Sequence, residues 1–397
     1  NKLQRLLGMR ISERWQGYSP DGKLPEIDEA LRPVVFVTGM EHHSNHVSWL
    51  ETIATVEIIA QTEEGNVDLK HFERLLLEYK SRKNKIAAVT ACSNVTGIQT
   101  PYCEIAKLIH AHNGLCFVDF ASAAPYVEID MHPEEADACL DAIYFSMHKF
   151  LGGPGTPGVL IFNQRIYCNA VPDHPGGGTI IYSNPWRTRK YITDIELRED
   201  GGTPPVLQGI KAAMCIRLKE EMGVRNILQR EEELLTIAFA RLSEMTDVFL
   251  LQGNAKKRLG IISFMVKGAH YNLIVRLLND KFGIQTRGGC SCAGTYGHQL
   301  LNVDAAQSQK IWRAIQYGDL SSKPGWIRVS IHPTMTDGEI EFIMDAIEST
   351  ASSFREWMAD YDYDQSSNEY TIKKGTEKEQ HRVEDWFKFR KSALFAP

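Results

Sequence analysis

The 397-residue chain has no run of eighteen apolar residues, so it carries no signature of a membrane-spanning helix. Its start has no basic stretch followed by an apolar one, so no secretory signal is visible there. It has no excess of positive charge. Its 44 basic and 50 acidic residues give a net charge of −6, which offers no general pull toward nucleic acid or anionic membrane. No internal repeat or low-complexity tract is found. The eight cysteines form no framework, being scattered and in part set inside apolar runs, as Cys116 is between Leu115 and Phe117. They read as reduced thiols of a cytoplasmic protein. Disulfides are not needed, because a chain of this length with 43% hydrophobic residues can bury a sizeable core. Asn1 opens directly into helical spacing at Leu3, Leu6 and Leu7, which reads as a cut inside a longer protein.

What is present is an alternation of short apolar runs and helical stretches. Pro33 to Val37, Lys85 to Thr90, Gly114 to Phe120 and Ala142 to Ser146 read as strands. Asp68 to Ser81 and Pro101 to Asn113 between them have helical spacing. Strands that are apolar throughout and separated by helices predict a parallel sheet covered on both faces. Such a sheet presents ligands at the C-terminal ends of its strands. Gly/Pro-rich stretches follow at 152–158, 172–178 and 201–205. Long helices are expected over Leu207 to Leu242, a strand over Gly260 to Val266, another over Trp326 to Ile331, and a closing helix over Asp337 to Trp357. The predicted division is a large domain over 1–205, linking helices over 206–245, a smaller C-terminal α/β domain over 246–358 and a charged tail over 359–397. Within that tail only Trp386 to Phe389 looks fit to dock.

Six clusters carry chemistry. Ser146-Met147-His148-Lys149, ahead of Gly152-Gly153-Pro154-Gly155, ends a strand. Its hydroxyl and imidazole suit a phosphate, and its amine suits a Schiff base if its charge is suppressed; most lysines so placed are simply solvated. Asp119 ends an apolar strand and needs a cation or donors; a pyridinium nitrogen or a local helix cap would serve. Asn94, in Ser93-Asn94-Val95-Thr96-Gly97, can bond a ring hydroxyl or its own turn. Among His42, His43 and His46, one imidazole can lie on a ring and shuttle protons, and the four-residue spacing of His42 and His46 also fits a metal pair. Arg287-Gly288-Gly289-Cys290-Ser291-Cys292 reads as a mobile, accessible thiol loop beside an arginine, with a metal loop using Cys290, Cys292 and His298 as its rival. Arg328, inside a strand, needs an anion, either a substrate carboxylate or a structural partner.

Taken in order, these clusters, with Gly176-Gly177-Gly178 and Gly201-Gly202-Thr203-Pro204, resemble the fold-type I pyridoxal 5'-phosphate enzymes of the class V aminotransferase group. The resemblance covers roughly residues 1 to 350 and is sharpest to cysteine desulfurases of the sulfur-mobilising type. It implies that Lys149 is the Schiff-base lysine, Asp119 pairs with the pyridine nitrogen and His42 stacks on the ring. It further implies that Asn94 contacts the ring oxygen, Ser146 and His148 hold the phosphate, and Thr203 reaches the phosphate of a neighbouring subunit in a homodimer. Arg328 would bind the carboxylate of a small amino acid substrate, and Cys292 would take its sulfur as a persulfide, leaving alanine. Cys290 is an extra thiol, and a protein would serve as sulfur acceptor. No metal, nucleic acid or membrane is expected. Departures are Ser122, where the family usually has glutamine, and a cysteine loop without neighbouring histidines. The family's small-residue phosphate turn is expected to precede the helix at which this sequence begins. These departures keep three alternatives open: an aminotransferase, epimerase or lyase acting on another amino acid, a non-enzymatic scaffold, or an inactive fragment.

Overall fold

The computed structural model describes residues 1–255 and 257–373. Its centre is a six-stranded sheet of order β2-β1-β3-β4-β5-β6. The strands are β1 (Val34–Thr38), β2 (Thr55–Ile59), β3 (Lys85–Thr90), β4 (Leu115–Asp119), β5 (Ala142–Ser146) and β6 (Gly158–Phe162). The first five are parallel, and β6 returns antiparallel to β5 at the edge. That edge strand grows out of a Gly/Pro-rich stretch, which hides it from a pattern reading. β1 and β3 are buried along their whole length, which is why their central residues, Val34–Val37 and Ile86–Val89, are all apolar.

Alternate residues of these strands feed two cores. Phe36, Val89 and Val118 pack toward Phe72 and Leu76 of α3 (Leu69–Glu78) and toward Ile105 and Ile109 of α4 (Tyr102–Ala111). Val35, Val37 and Phe117 pack on the other face with Leu3 of α1 (Lys2–Leu6) and Trp49 of α2 (His43–Leu50). The two-residue period of a strand thus becomes two sides of one layer.

The Gly/Pro-rich stretch at 172–178 leads into a small hairpin, β7 (Ile180–Ser183) and β8 (Arg189–Tyr191), and the short helix α5 (Ile195–Glu199). The expected long helices are α6 (Val206–Met222) and α7 (Val224–Glu244), broken by Gly223 at φ +79°. The second sheet has order β11-β12-β10-β9, built from β9 (Val248–Leu250), β10 (Ile261–Val266), β11 (Arg287–Gly289) and β12 (Trp326–Ser330), all antiparallel. α7, α8 (Tyr271–Phe282) and α11 (Asp337–Trp357) share its core through Leu234, Phe239, Ile274, Leu277, Met344 and Ile347. α9 (Gly294–Leu300) and α10 (Ala305–Gln316) lie between β11 and β12 in the chain. A Thr336/Glu339 capping box starts α11 at its expected first residue.

The segment from Ala359, expected to be a charged tail, instead begins with an ordered hairpin, β13 (Tyr361–Asp364) and β14 (Glu369–Ile372). Its charged residues face outward while Tyr361 joins the second core. Composition read over the whole segment missed the alternation. The expected docking of Trp386 to Phe389 lies outside the described residues.

Candidate functional site

The C-terminal ends of β1, β3, β4 and β5 open on one side of the central sheet, where a parallel layer gathers side chains from separate stretches of sequence. A cavity of about 780 Å³ lies there, lined by His42, Asn94, Asp119, Ser122, Ser146, His148 and Lys149. Arg287 and Arg328 of the second sheet line it too. Residues expected from the sequence to act together are therefore gathered in one cavity. Thr203 is exposed and lies outside its lining, as does Cys292.

Lys149 ends a single 3-10 turn after β5. Burial pushes its amine below the ordinary lysine value, while the nearby Asp119 carboxylate pulls the other way. Burial raises the Asp119 carboxyl against the opposing effects of the Ala121 N–H, which donates to Oδ1 at 2.8 Å, and of Lys149. His42 caps α2, its Nδ1 accepting from the Ser44 N–H at 3.1 Å, which leaves the ring proton on Nε2. Burial first, then the charge of Lys149, lowers its pKa to about 4, so the ring is neutral at pH 7.

Glu41 organises this end of the sheet, although the sequence motif that contains it singled out the histidine. It is 2% exposed and accepts from Thr38 Oγ1 at 2.7 Å, the Thr90 N–H at 2.9 Å and Asn45 Nδ2 at 2.8 Å. One carboxyl thus ties β1, β3 and α2 together. Burial, opposed by these donors, raises its pKa to about 7. No periodicity marks such a residue. Glu231 of α7 also lines the cavity and was missed, because its helix position looks like one more surface charge.

The cysteine loop is a turn closed by the Ala293 N–H donating to the Cys290 carbonyl at 2.9 Å, with Ser291 and Cys292 at φ +52° and +58°. The His43 N–H donates to the Cys292 carbonyl at 2.7 Å, and the Gly294 N–H donates to His43 Nε2 at 2.9 Å. Asn94 Nδ2 donates to the Ser291 carbonyl at 2.7 Å. Arg287 Nη2 lies 3.1 Å from Cys292 Sγ, so the thiol sits one guanidinium away from the cavity wall. Among the described residues no three His, Cys, Asp or Glu side chains are grouped to hold an ion, and both ring nitrogens of His298 are bonded, to the Gly294 carbonyl and Ser308 Oγ.

The cavity's residues fit pyridoxal 5'-phosphate. Asp119 is a buried carboxyl with an open oxygen, suited to a protonated ring nitrogen. The Asn94 Oδ1 is buried without a partner, as an acceptor waiting for a ring hydroxyl would be. The Arg328 Nε is likewise unpartnered, although Nη1 donates to the Asn94 carbonyl at 3.0 Å. The Lys149 amine is the group that would react with an aldehyde.

Comparison with known proteins agrees. The chain is 30% identical over 268 residues to a probable cysteine desulfurase of Halalkalibacterium halodurans, covering 65% of this chain and 61% of that protein. It is 29% identical over 276 residues to a cysteine desulfurase of Haloferax volcanii, covering 68% and 62%. The chain thus spans about three fifths of the length of the curated relatives it matches. Its fold superimposes on the apo structure of a cysteine desulfurase from Thermococcus onnurineus NA1 with a TM-score of 0.67 and 26% identity, over 81% of this chain and 74% of that one. The sequence profile of the aminotransferase class-V family matches residues 32–343. With that span, and with the cavity built where its motifs fall, the chain belongs to the class-V aminotransferase family.

Proposed function

We propose that the protein is a pyridoxal 5'-phosphate enzyme that takes sulfur from L-cysteine onto Cys292 and leaves L-alanine. The observation that carries this reading is the Cys292 thiol held beside Arg287, whose guanidinium lines the cavity that contains Lys149. When bound, pyridoxal phosphate supplies an aldehyde that joins amines and a ring that takes up an electron pair. The chain's own residues do the rest. Lys149 would hold the aldehyde carbon and move the proton at the substrate α-carbon, which its burial-lowered basicity assists. Asp119 would hold a proton at the ring nitrogen. Asn94 would accept from the ring hydroxyl, Ser146 and His148 would donate to the phosphate, and His42, neutral at pH 7, would pass protons beside the ring. Arg328 takes the substrate carboxylate in its two-pronged grip. The Cys292 thiolate attacks the substrate sulfur, forming an S–S bond as the carbon–sulfur bond breaks. In net terms cysteine and the thiol become alanine and a persulfide.

The position of Cys292 outside the cavity lining favours one second reading, an aminotransferase, epimerase or lyase acting on another amino acid. Incubation with a panel of amino acids separates the two. Alanine and sulfide formed from cysteine, and abolished in Cys292→Ser, support the desulfurase. An undiminished rate in Cys292→Ser overturns it.

The homodimer belongs to the same proposal. Val206, Leu207, Ile210 and Met214 of α6 are exposed apolar side chains next to Thr203, and a second copy covering them would bring Thr203 toward its neighbour's phosphate. The persulfide would pass to an acceptor protein. Eight free cysteines suit a reducing, cytoplasmic setting, and among the described residues no helix is long and apolar enough to cross a membrane.

A further inference from the structure

We infer that Asn368, at the tip of the β13–β14 hairpin, is a positioning residue for the cysteine loop. The hairpin lies beyond residues 32–343, the span matched by the family profile. Asn368 sits in the left-handed region at φ +60°, which asparagine tolerates better than most residues, and it is buried. Its side-chain amide and its backbone carbonyl are bonded inward. Nδ2 donates to the Tyr271 hydroxyl at 2.7 Å, Oδ1 accepts from the Tyr363 hydroxyl at 2.7 Å, and the backbone carbonyl accepts from Asn272 Nδ2. His270 stacks on Tyr271 and packs against Tyr363 and Tyr370, so the hairpin and the start of α8 form one aromatic cluster.

Tyr271 and Asn272 are in turn the floor under β11. A Cβ on Gly288 would overlap Asn272 Oδ1 and meet the Tyr271 ring at 3.2 Å, and a Cβ on Gly325 would meet that ring at 2.6 Å. Only backbone fits between them. β11 carries Arg287 and runs straight into Cys290-Ser291-Cys292. The chain of contact is therefore short: Asn368, then Tyr271 and Asn272, then Gly288 and Gly289, then the turn that bears the thiol. The close contacts at Gly288 leave little room there to absorb a displacement.

The effect on turnover rests on the reading of Cys292 as sulfur acceptor, so the primary test does not use turnover. Amide hydrogen exchange is compared between the wild-type chain and Asn368→Gly, which keeps the turn conformation and the backbone carbonyl but deletes both side-chain bonds. The expected result is at least tenfold faster exchange in the peptide covering residues 287–294, with β3 (Lys85–Thr90) unchanged as an internal reference. Asn368→Asp, which retains acceptors for both phenols, should restore most of the protection. Faster exchange confined to 361–372 and 270–273, with 287–294 at the wild-type rate, overturns the inference. Sulfide release from cysteine is the second readout. The inference expects kcat to fall about tenfold in Asn368→Gly with KM for cysteine little changed. Equal loss in both Gly and Asp variants without any exchange change at 287–294 would overturn it. If the wild-type chain releases no sulfide from cysteine, the desulfurase reading fails, while accelerated exchange at 287–294 still supports the positioning role.

Discussion

Arg287 and Arg328 are cross-strand partners, paired directly between β11 and β12. Like charges in register repel. Burial first and the Arg287 charge second hold Arg328 below its usual basicity. Both guanidiniums line the same cavity, so an anion between them turns a destabilising pair into a receptor. The substrate carboxylate is the expected anion. Arg328→Lys keeps the charge but loses the planar fork, and KM for cysteine should rise about tenfold or more, equivalent to about 1.4 kcal/mol. An unchanged KM in steady-state kinetics would remove Arg328 from carboxylate binding.

Asp119 should trade stability for chemistry. Burial raises its carboxyl above the ordinary value, so its favourable contribution is complete below that ordinary value and is lost as pH rises through the folded one. At pH 7, without ligand, Asp119→Asn should therefore melt higher than the wild type. Its turnover should fall roughly 10²-fold or more, because the ring nitrogen loses its counter-charge. A lower melting temperature together with full activity would refute both halves.

The network at the other end of the sheet has a pH signature. His110 Nε2 lies 2.9 Å from Asp141 Oδ2, Arg165 pairs with Oδ1 of the same carboxylate, and the Cys116 N–H donates to Oδ2 at 2.8 Å. The Asp141 bond raises His110 despite burial. Burial opposes the Asp141 charge, but His110, the Cys116 N–H and Arg165 together lower its pKa. The His110 contribution is complete below about 6.5 and lost as pH rises through its raised value, whereas that of Asp141 is lost as acid passes through its lowered value. His110→Gln should cost about 1–3 kcal/mol at pH 6 and flatten the decline in stability toward pH 8. Denaturant melts that fall in parallel for both proteins between pH 6 and 8 would contradict this.

Gly153 tests the turn that places Lys149. A Cβ there would overlap the Met147 carbonyl and meet the Phe150 carbonyl oxygen at 2.8 Å, and backbone cannot give way as a side chain can. Gly153→Ala should shift the Met147–Lys149 turn, reduce borohydride-trapped cofactor on the Lys149 peptide at least tenfold, and leave far-UV circular dichroism unchanged. Trapping at the wild-type level would show that the turn tolerates the methyl group.

Much of the large unit was legible because its cause is local. The centres of β1 and β3 are unbroken apolar runs since both faces are covered, and α4 and α11 announce themselves through helical spacing. Lys149, Asp119 and Asn94 stood out as polar residues at the ends of such runs, where burial demands a partner. Glu41 and Glu231 did not stand out, because their importance lies in contacts with residues 49 and 29 positions away. The hairpin at 361–372 was hidden by its charged outer positions, which dominate an average taken over the tail.

The amino-acid sequence by itself determined the parallel layer, the order of its helices and the residue types waiting at its strand ends, since hydrophobic periodicity and buried polar groups leave few alternatives. Tertiary structure alone decided that Arg287 opposes Arg328, that the thiol loop is pinned by His43 and Asn94, and that Asn368 reaches the floor of β11. Those relations join segments far apart in the chain, and only the tertiary fold brings them side by side.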